Sequence, residues 1–511
     1  MSEQNNIGNN KRIAKNTLFL YFRMILIMGV TLYTSRVILD KLGIEDYGLY
    51  QVVGSVVGMV SFLKGTLSAG TSRFITFELG VNNLDRLKRT FSTTFYTHVI
   101  LGIIIVILME TGGLWFLYNK LQIPTERLTA CFWVFQLSII TAFVATTQIP
   151  YSSAIMAHEK MGIYAYISIF EAFAKLGVCY LITMTTTDRL VIYAILIATV
   201  QFLVAMFYRV YCVRKFTECH ITRVYDRLIF RNLIGFTGWN VMANLAETLK
   251  LQGVLVLINL FFSPVVVAAQ AVANQVTNAM MQFVSNFRTA INPQIIKLYA
   301  SGDKDESKKL TLRTTVYSFE LMLILGLPAI IVMDWLMHIW LVEVPDYAVV
   351  FTQWIIIRQI IGVFSAAFYT PMMAANKLKL NSTFAVFSGI GQFILLYILF
   401  RCGLGPMWIQ YTGLIVTLLY SMGVKPYVLY KDIDYTIKEL LLCYWNCLKV
   451  LLLSCVIICP AVYLLDEGGT DNIFKIIVSI ISVAISSYVF LEQSEKNNLK
   501  YFVMKKIKNL R

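Results

Sequence analysis

Residues 16–80 read NTLFLYFRMILIMGVTLYTSRVILDKLGIEDYGLYQVVGSVVGMVSFLKGTLSAGTSRFITFELG. Two apolar spans are joined here by a short turn containing Gly43 and Asp46, and Arg23, Arg36, Lys64 and Arg73 stand in or beside them. An unpaired guanidinium at bilayer depth costs at least about 2.5–3.5 kcal/mol, so a chain keeps one only where it meets water, a partner or a ligand. Cations in such a hairpin point to an anionic cargo.

The rest of the chain extends the pattern. Its 511 residues are 58% hydrophobic and 14% charged, with a mean hydropathy of +0.67, well beyond the range of soluble domains. About fourteen apolar stretches of roughly twenty residues recur, each long enough to cross about 30 Å of hydrocarbon as a helix. No barrel-length alternation with period two occurs, so the expected fold is an all-α polytopic membrane protein. The spans fall near 16–39, 47–70, 91–118, 128–151, 163–184, 190–211, 233–262, 264–290, 315–341, 347–371, 381–401, 405–429, 440–465 and 472–491. Ten polar residues lead directly into the first span without a small-residue cleavage site, so no removable signal peptide is expected.

A net charge of +15 raises the possibility of nucleic acid, but its distribution argues against that partner. With the N-terminus in the cytoplasm, about 30 Lys and Arg fall on inner segments and about 6 on outer ones. The inner segments include Arg86–Arg89, Arg209–Arg231, Lys297–Arg313, Lys425–Lys438 and the tail Lys496–Arg511, whereas Glu343–Asp346 and Asp466–Asp471 make the outer loops acidic. Both termini are therefore expected in the cytoplasm, and the outer connections leave no room for a soluble catalytic domain. Nine cysteines are scattered, and the four-residue spacings Cys443/Cys447 and Cys455/Cys459 gain no His or carboxylate, so no metal is expected.

The largest inner connection, 213–232, mixes Arg214, Lys215, Arg223, Arg227 and Arg231 with Val224, Leu228 and Ile229, which predicts an amphipathic linker helix on the membrane surface. Around it the sequence repeats. DRLKRTFSTT (85–94) lies over ESKKLTLRTT (306–315) at an offset of 221, Gly43–Gln51 over Phe262–Gln270 at 219, and AIMAHEKM (154–161) over PMMAANKL (371–378) at 217. Near-constant offsets at matching places in the span order predict two pseudo-symmetric six-helix lobes. The expected division is 1–212 for the first lobe, 213–232 for the linker, 233–430 for the second lobe, and 431–511 for two added spans with a basic tail.

The run SRVILDKLGIEDYGLYQV, the following SAGTSRF, the AIMAHEKMG loop and the six-plus-six-plus-two layout resemble the polysaccharide flippases of the multidrug/oligosaccharidyl-lipid/polysaccharide exporter superfamily. The resemblance covers nearly the whole chain and is strongest over the first two spans. It implies a transporter of the bacterial cytoplasmic (inner) membrane that turns over undecaprenyl-pyrophosphate-linked repeat units for O-antigen, capsule or lipopolysaccharide. It also implies contact with membrane lipids and other polysaccharide-assembly proteins, and a cationic cavity for the diphosphate with residues from the first, second and eighth helices.

Arg23, Arg36, Lys64, Arg73 and Arg288 occupy those helices here, and Arg358 stands near the middle of the tenth. Arg23 and Arg36 are about 20 Å apart along one helix and about 140° apart around it, so a bend or a wide cavity is needed for both to meet one anion. Snorkelling to the headgroups is the plain alternative for each. Arg358 either meets an acid on another helix or lines the cavity. Glu171 with Lys175 and Glu247 with Lys250 have the spacing of pairs along one helix, with a proton or sodium site at Glu171 or Glu247 as the alternative. No GxxxxGK[ST] loop is present, so no nucleotide cofactor is expected, and the drive is expected from gradients or from consumption of product. Two rivals stand beside the flippase: a cation-expelling multidrug antiporter, which wants central acids that the first span lacks, and a membrane polysaccharide polymerase, which wants paired outer carboxylates that only Asp466/Glu467 approach.

Overall fold

The computed structural model describes residues 24–497, apart from residues 82, 159, 186, 376, 466, 467, 492, 494 and 495. All regular structure among them is helical. The first half contains α1 (24–42), α2 (Ile44–Gly58), α3 (Ser61–Val81), α4 (Leu84–Leu108), α5 (Leu114–Asn119), α6 (Leu128–Ala157), α7 (Met161–Leu181) and α8 (Arg189–Lys215). The second contains α9 (Arg227–Thr248), α10 (Val254–Phe261), α11 (Pro264–Ala300), α12 (Lys304–Ile331), α13 (Met333–Trp340), α14 (Ala348–Ala374), α15 (Lys379–Arg401), α16 (Trp408–Leu418) and α17 (Lys425–Ile433). Helices α18 (Ile437–Leu464) and α19 (Gly469–Phe490) follow.

Among the described residues, ten helical stretches are long and apolar enough to cross a membrane. The other expected spans are those at 16–39, 47–70, 233–262 and 264–290. The first begins before the described residues, and the second is divided between α2 and α3. The last two carry many amides and hydroxyls, among them Gln270, Asn274, Gln275 and Asn286 on α11.

Burial is inverted relative to a soluble helix. On α4, Ile103, Ile104, Ile107 and Leu108 are exposed while Thr90, Thr93, Thr94 and Thr97 are buried. The apolar face meets lipid. Of the buried hydroxyls, Thr94 and Thr97 bond back to the Phe91 and Thr93 carbonyls at 2.8 Å each and, on α12, Thr315 to the Thr311 carbonyl at 2.7 Å, which satisfies them where no water is at hand.

The repeat extends to the capping chemistry. Asn83 caps α4 by accepting from the Arg86 amide at 3.0 Å, and Asp303 caps α12 by accepting from the Glu306 amide at 3.3 Å. Long α6 contains Pro150 and its counterpart α14 contains Pro371. Each closes the same way: the His158 and Lys160 amides return to Ala154 and Ile155 at 3.0 and 3.1 Å, and the Ala375 and Lys377 amides return to Pro371 and Met372, both at 2.9 Å. The helix breaks after α1 and α10 close equivalently, Gly43 to Leu39 and Phe262 to Ile258.

The linker differs from its expected form. Residues 213–232 make no separate amphipathic helix: they finish α8, pass through a turn at Thr217–Cys219 and enter α9. The hydroxyls of α4 hold this passage in extended form, with the Thr222 amide on Ser92 Oγ and the Asp226 amide on Thr93 Oγ1, each at 3.0 Å. Asp226 then caps α9 by accepting from the Leu228 amide at 2.9 Å. Three backbone or capping bonds outweigh a weak surface amphipathicity.

The chain packs as two compact units, one formed by Met1–Ala271, Trp340–Ala348 and Ala385–Ile409, the other by Val272–Ile339, Val349–Phe384 and Gln410–Arg511. In the first, α6 packs on α8, α4 and α3, and α3 packs on α9. Gly389 of α15 lies so close to the Ala246 backbone of α9 that an added Cβ would stand 2.9 Å from its carbonyl oxygen. In the second, α19 packs on α18 and α12, presenting a buried stripe of Asn472, Lys475, Ser479, Ser482 and Ser486. Small polar side chains let such helices approach closely.

Candidate functional site

Pro371 starts the construction of the site. Proline has no amide hydrogen, so the carbonyl four residues earlier, that of Ala367, loses its helical donor. Arg288 supplies the replacement: its Nη2 donates to the Ala367 carbonyl at 3.1 Å and to Thr370 Oγ1 at 3.2 Å. The Thr370 hydroxyl in turn donates to Asn292 Oδ1 at 2.9 Å, one turn beyond Arg288 on α11. A proline in one helix thus fixes the guanidinium of another, which is only 9% exposed.

Lys425 meets the residue of α14 next to the one that Arg288 holds, Tyr369 beside Thr370. It is 2% exposed, and its ammonium stands 5.1 Å from the ring centres of both Tyr369 and Tyr420. Tyr420 is itself fixed by donating to Asn381 Oδ1 at 2.8 Å. Lys425 opens α17 directly after a π turn, Leu419–Val424, an irregularity that concentrates at functional sites. The ring faces partly offset its desolvation. Among the described residues, the contacts of Arg288 are a carbonyl and a hydroxyl and those of Lys425 are two tyrosine rings. Two buried cations against neighbouring residues of α14 form a site of positive charge.

The other cations chosen from the sequence are dispersed. Arg358 is half-buried on α14 and passes beside Gly413 of α16, whose missing side chain makes room for the guanidinium. It precedes Ala367 by nine residues, about 14 Å along the helix, so it stands apart from the Arg288 contact. Arg36 is half-buried on α1 and Arg73 exposed on α3, and both have interaction partners. Lys64 lies on α3 with its side chain outside the described set, and Arg23 lies outside the described residues altogether.

Both acid–base pairs form. Lys175 donates to Glu171 at 2.6 Å, and Gln201 of α8 donates to the same oxygen at 2.8 Å. Glu247 and Lys250 approach to 3.9 Å, with Glu247 largely exposed.

Lys425 was assigned from the sequence to an inner basic segment, and the structure instead buries it. The available signal was its place in YSMGVKPYVLY (420–430), a lysine before a proline inside an aromatic, apolar run. Arg209 was assigned in the same way. Its Nη2 donates to Thr147 Oγ1 at 2.6 Å and its guanidinium stands 5.9 Å from the Tyr151 ring, on either side of Pro150. A cation against the proline-bearing helix therefore occurs in both halves of the repeat.

No family model matches the sequence, and no curated protein matches it. Solved structures do. The lipid II flippase MurJ in an inward closed conformation superposes with a TM-score of 0.68 at 13% identity, covering 92% of this chain and 97% of that one. A multidrug resistance MATE family transporter of the MOP superfamily, inward-facing, gives 0.67 at 12% identity over 80% and 98%. A MOP superfamily transporter from Pyrococcus furiosus with a binding pocket of reverse polarity gives 0.61 at 14% identity over 82% and 96%. At these identities the likeness is one of fold: this chain has the fold of MOP superfamily transporters.

Proposed function

We propose that this multi-pass membrane protein is a flippase that carries an anionic lipid-linked substrate, an undecaprenyl-pyrophosphate-linked oligosaccharide repeat unit, from the inner to the outer leaflet of the bacterial cytoplasmic membrane. The observation that carries the reading is two buried cations against neighbouring residues of α14, Arg288 bonded to a carbonyl and a hydroxyl and Lys425 over two tyrosine rings. Buried charge without compensation is costly and is retained where a ligand compensates it. A diphosphate does so, with Arg288 as the oriented donor and Lys425 as the adaptable point charge.

In this reading the lobes 1–212 and 233–430 rock about the substrate, with both termini in the cytoplasm. Arg23, Arg36, Lys64, Arg73 and Arg358 supply further positive charge along the path, and Glu171 or Glu247 exchanges a proton or sodium ion. The polyprenyl tail stays in the bilayer beside α18 and α19. The products served are O-antigen, capsule or lipopolysaccharide, alongside other assembly proteins of the same membrane. A multidrug antiporter draws equal support from fold, since the MATE likeness is as close as that to MurJ. The cationic pair favours the anion carrier.

The test is a strain lacking its own flippase, complemented with the wild-type chain and with Arg288→Ala and Lys425→Ala, scored for surface polysaccharide and for resistance to cationic drugs. The flippase reading expects restoration by wild type, a loss of tenfold or more in either variant, and unchanged drug resistance. Full surface polysaccharide in both variants would reject the cationic site, and wild-type-dependent drug resistance without polysaccharide would select the antiporter.

A further inference from the structure

A cavity of about 430 Å³ opens between α12, α18 and α19, away from Arg288 and Lys425 in sequence and chemistry. Its mouth is built from the first turns of α12 and α18 and the last residues of α19, so three helix ends meet at one face of the membrane. Glu306, Lys309 and Arg313 of α12 and Glu439 of α18 line it there. Farther in, Val316, Leu442 and Val450 line it together with Tyr317, Asn446 and Glu320. A charged mouth beside aliphatic walls suits an amphiphile whose headgroup stays at the membrane face.

The charges are of both signs and are spatially fixed. Lys309 donates to Glu306 at 2.8 Å, and Arg313 Nε donates to the Tyr317 hydroxyl at 3.1 Å. Glu439 closes a capping box with Thr436, accepting from its amide and its hydroxyl at 2.8 Å each. Two cations suit a phosphate, and two carboxylates suit an ammonium group beside it. The same carboxylates repel a headgroup that carries only negative charge, which is how a site selects by exclusion.

We infer that this cavity is a binding site for a zwitterionic phospholipid of the phosphoethanolamine class, with the phosphate on Arg313 and Lys309 and the ammonium toward Glu439 and Glu306. Glu320, about 21 Å beyond Glu306 along α12, lines the deeper part of the cavity, and both it and Arg313 have interaction partners within the protein. The inference is independent of what the chain transports.

Native mass spectrometry of the delipidated full-length protein, offered equal amounts of phosphatidylethanolamine and phosphatidylglycerol with identical acyl chains, tests it. The wild type is expected to retain phosphatidylethanolamine about tenfold over phosphatidylglycerol, and Arg313→Ala to lose most of that retention. Glu439→Gln keeps the capping box, because glutamine serves the same position, so a folded protein reports the charge effect alone; its preference is expected to fall toward parity. Equal retention of the two lipids by the wild type, or an unchanged preference in Glu439→Gln, overturns the inference.

Discussion

Lys425 shows what a single residue costs and supplies. An ammonium at 2% exposure gives up its hydration for two tyrosine faces, an unfavourable exchange in the absence of a ligand. Lys425→Met keeps the length and apolar stem while removing the charge, and is expected to stabilise the protein by about 1–3 kcal/mol while abolishing transport. A thermal melt in detergent beside the complementation assay checks this. A variant that is both less stable and inactive would show that the lysine is a packing element rather than a ligand group. Arg288 is tied differently, since its donors replace the amide that Pro371 lacks, and its position follows from the covalent structure of proline rather than from charge.

At the scale of the element, the helices approach one another through residues that have little or no side chain. Gly389 of α15 against the Ala246 backbone of α9 is one such approach in the first unit, with backbone rather than a flexible side chain on the facing helix. Gly389→Val is expected to force these helices apart and to destabilise the fold by about 1–3 kcal/mol, as overpacking does, seen as a lower melting temperature. An unchanged melt would mean that α9 yields without cost. The π turns act in the other direction. One extra residue in a turn rotates everything after it by about 100°, so a helical wheel drawn from Trp408 places Lys425 on the wrong face.

For the molecule as a whole, the transport reading carries an electrical consequence. A diphosphate with about two negative charges moving outward across an inside-negative membrane gains about 4–5 kcal/mol per 100 mV. Substrate translocation in reconstituted vesicles is therefore expected to accelerate when an inside-negative potential is imposed and to slow when an ionophore collapses it. A rate indifferent to potential would place the coupling entirely on an ion or on consumption of product. The sequence by itself determined the all-helical, multi-pass architecture, because span length and apolar content are properties of contiguous stretches. It also identified the pairs Glu171–Lys175 and Glu247–Lys250, whose geometry belongs to one helix. The linker 213–232 was misread because its conformation depends on hydroxyls of α4 more than a hundred residues away. Only the tertiary structure decided which cations are buried against neighbouring residues of α14. That choice depends on the azimuth of each helix, set by the proline in α14, the π turn before α17 and the packing of neighbours, none of which a linear pattern of apolar residues encodes.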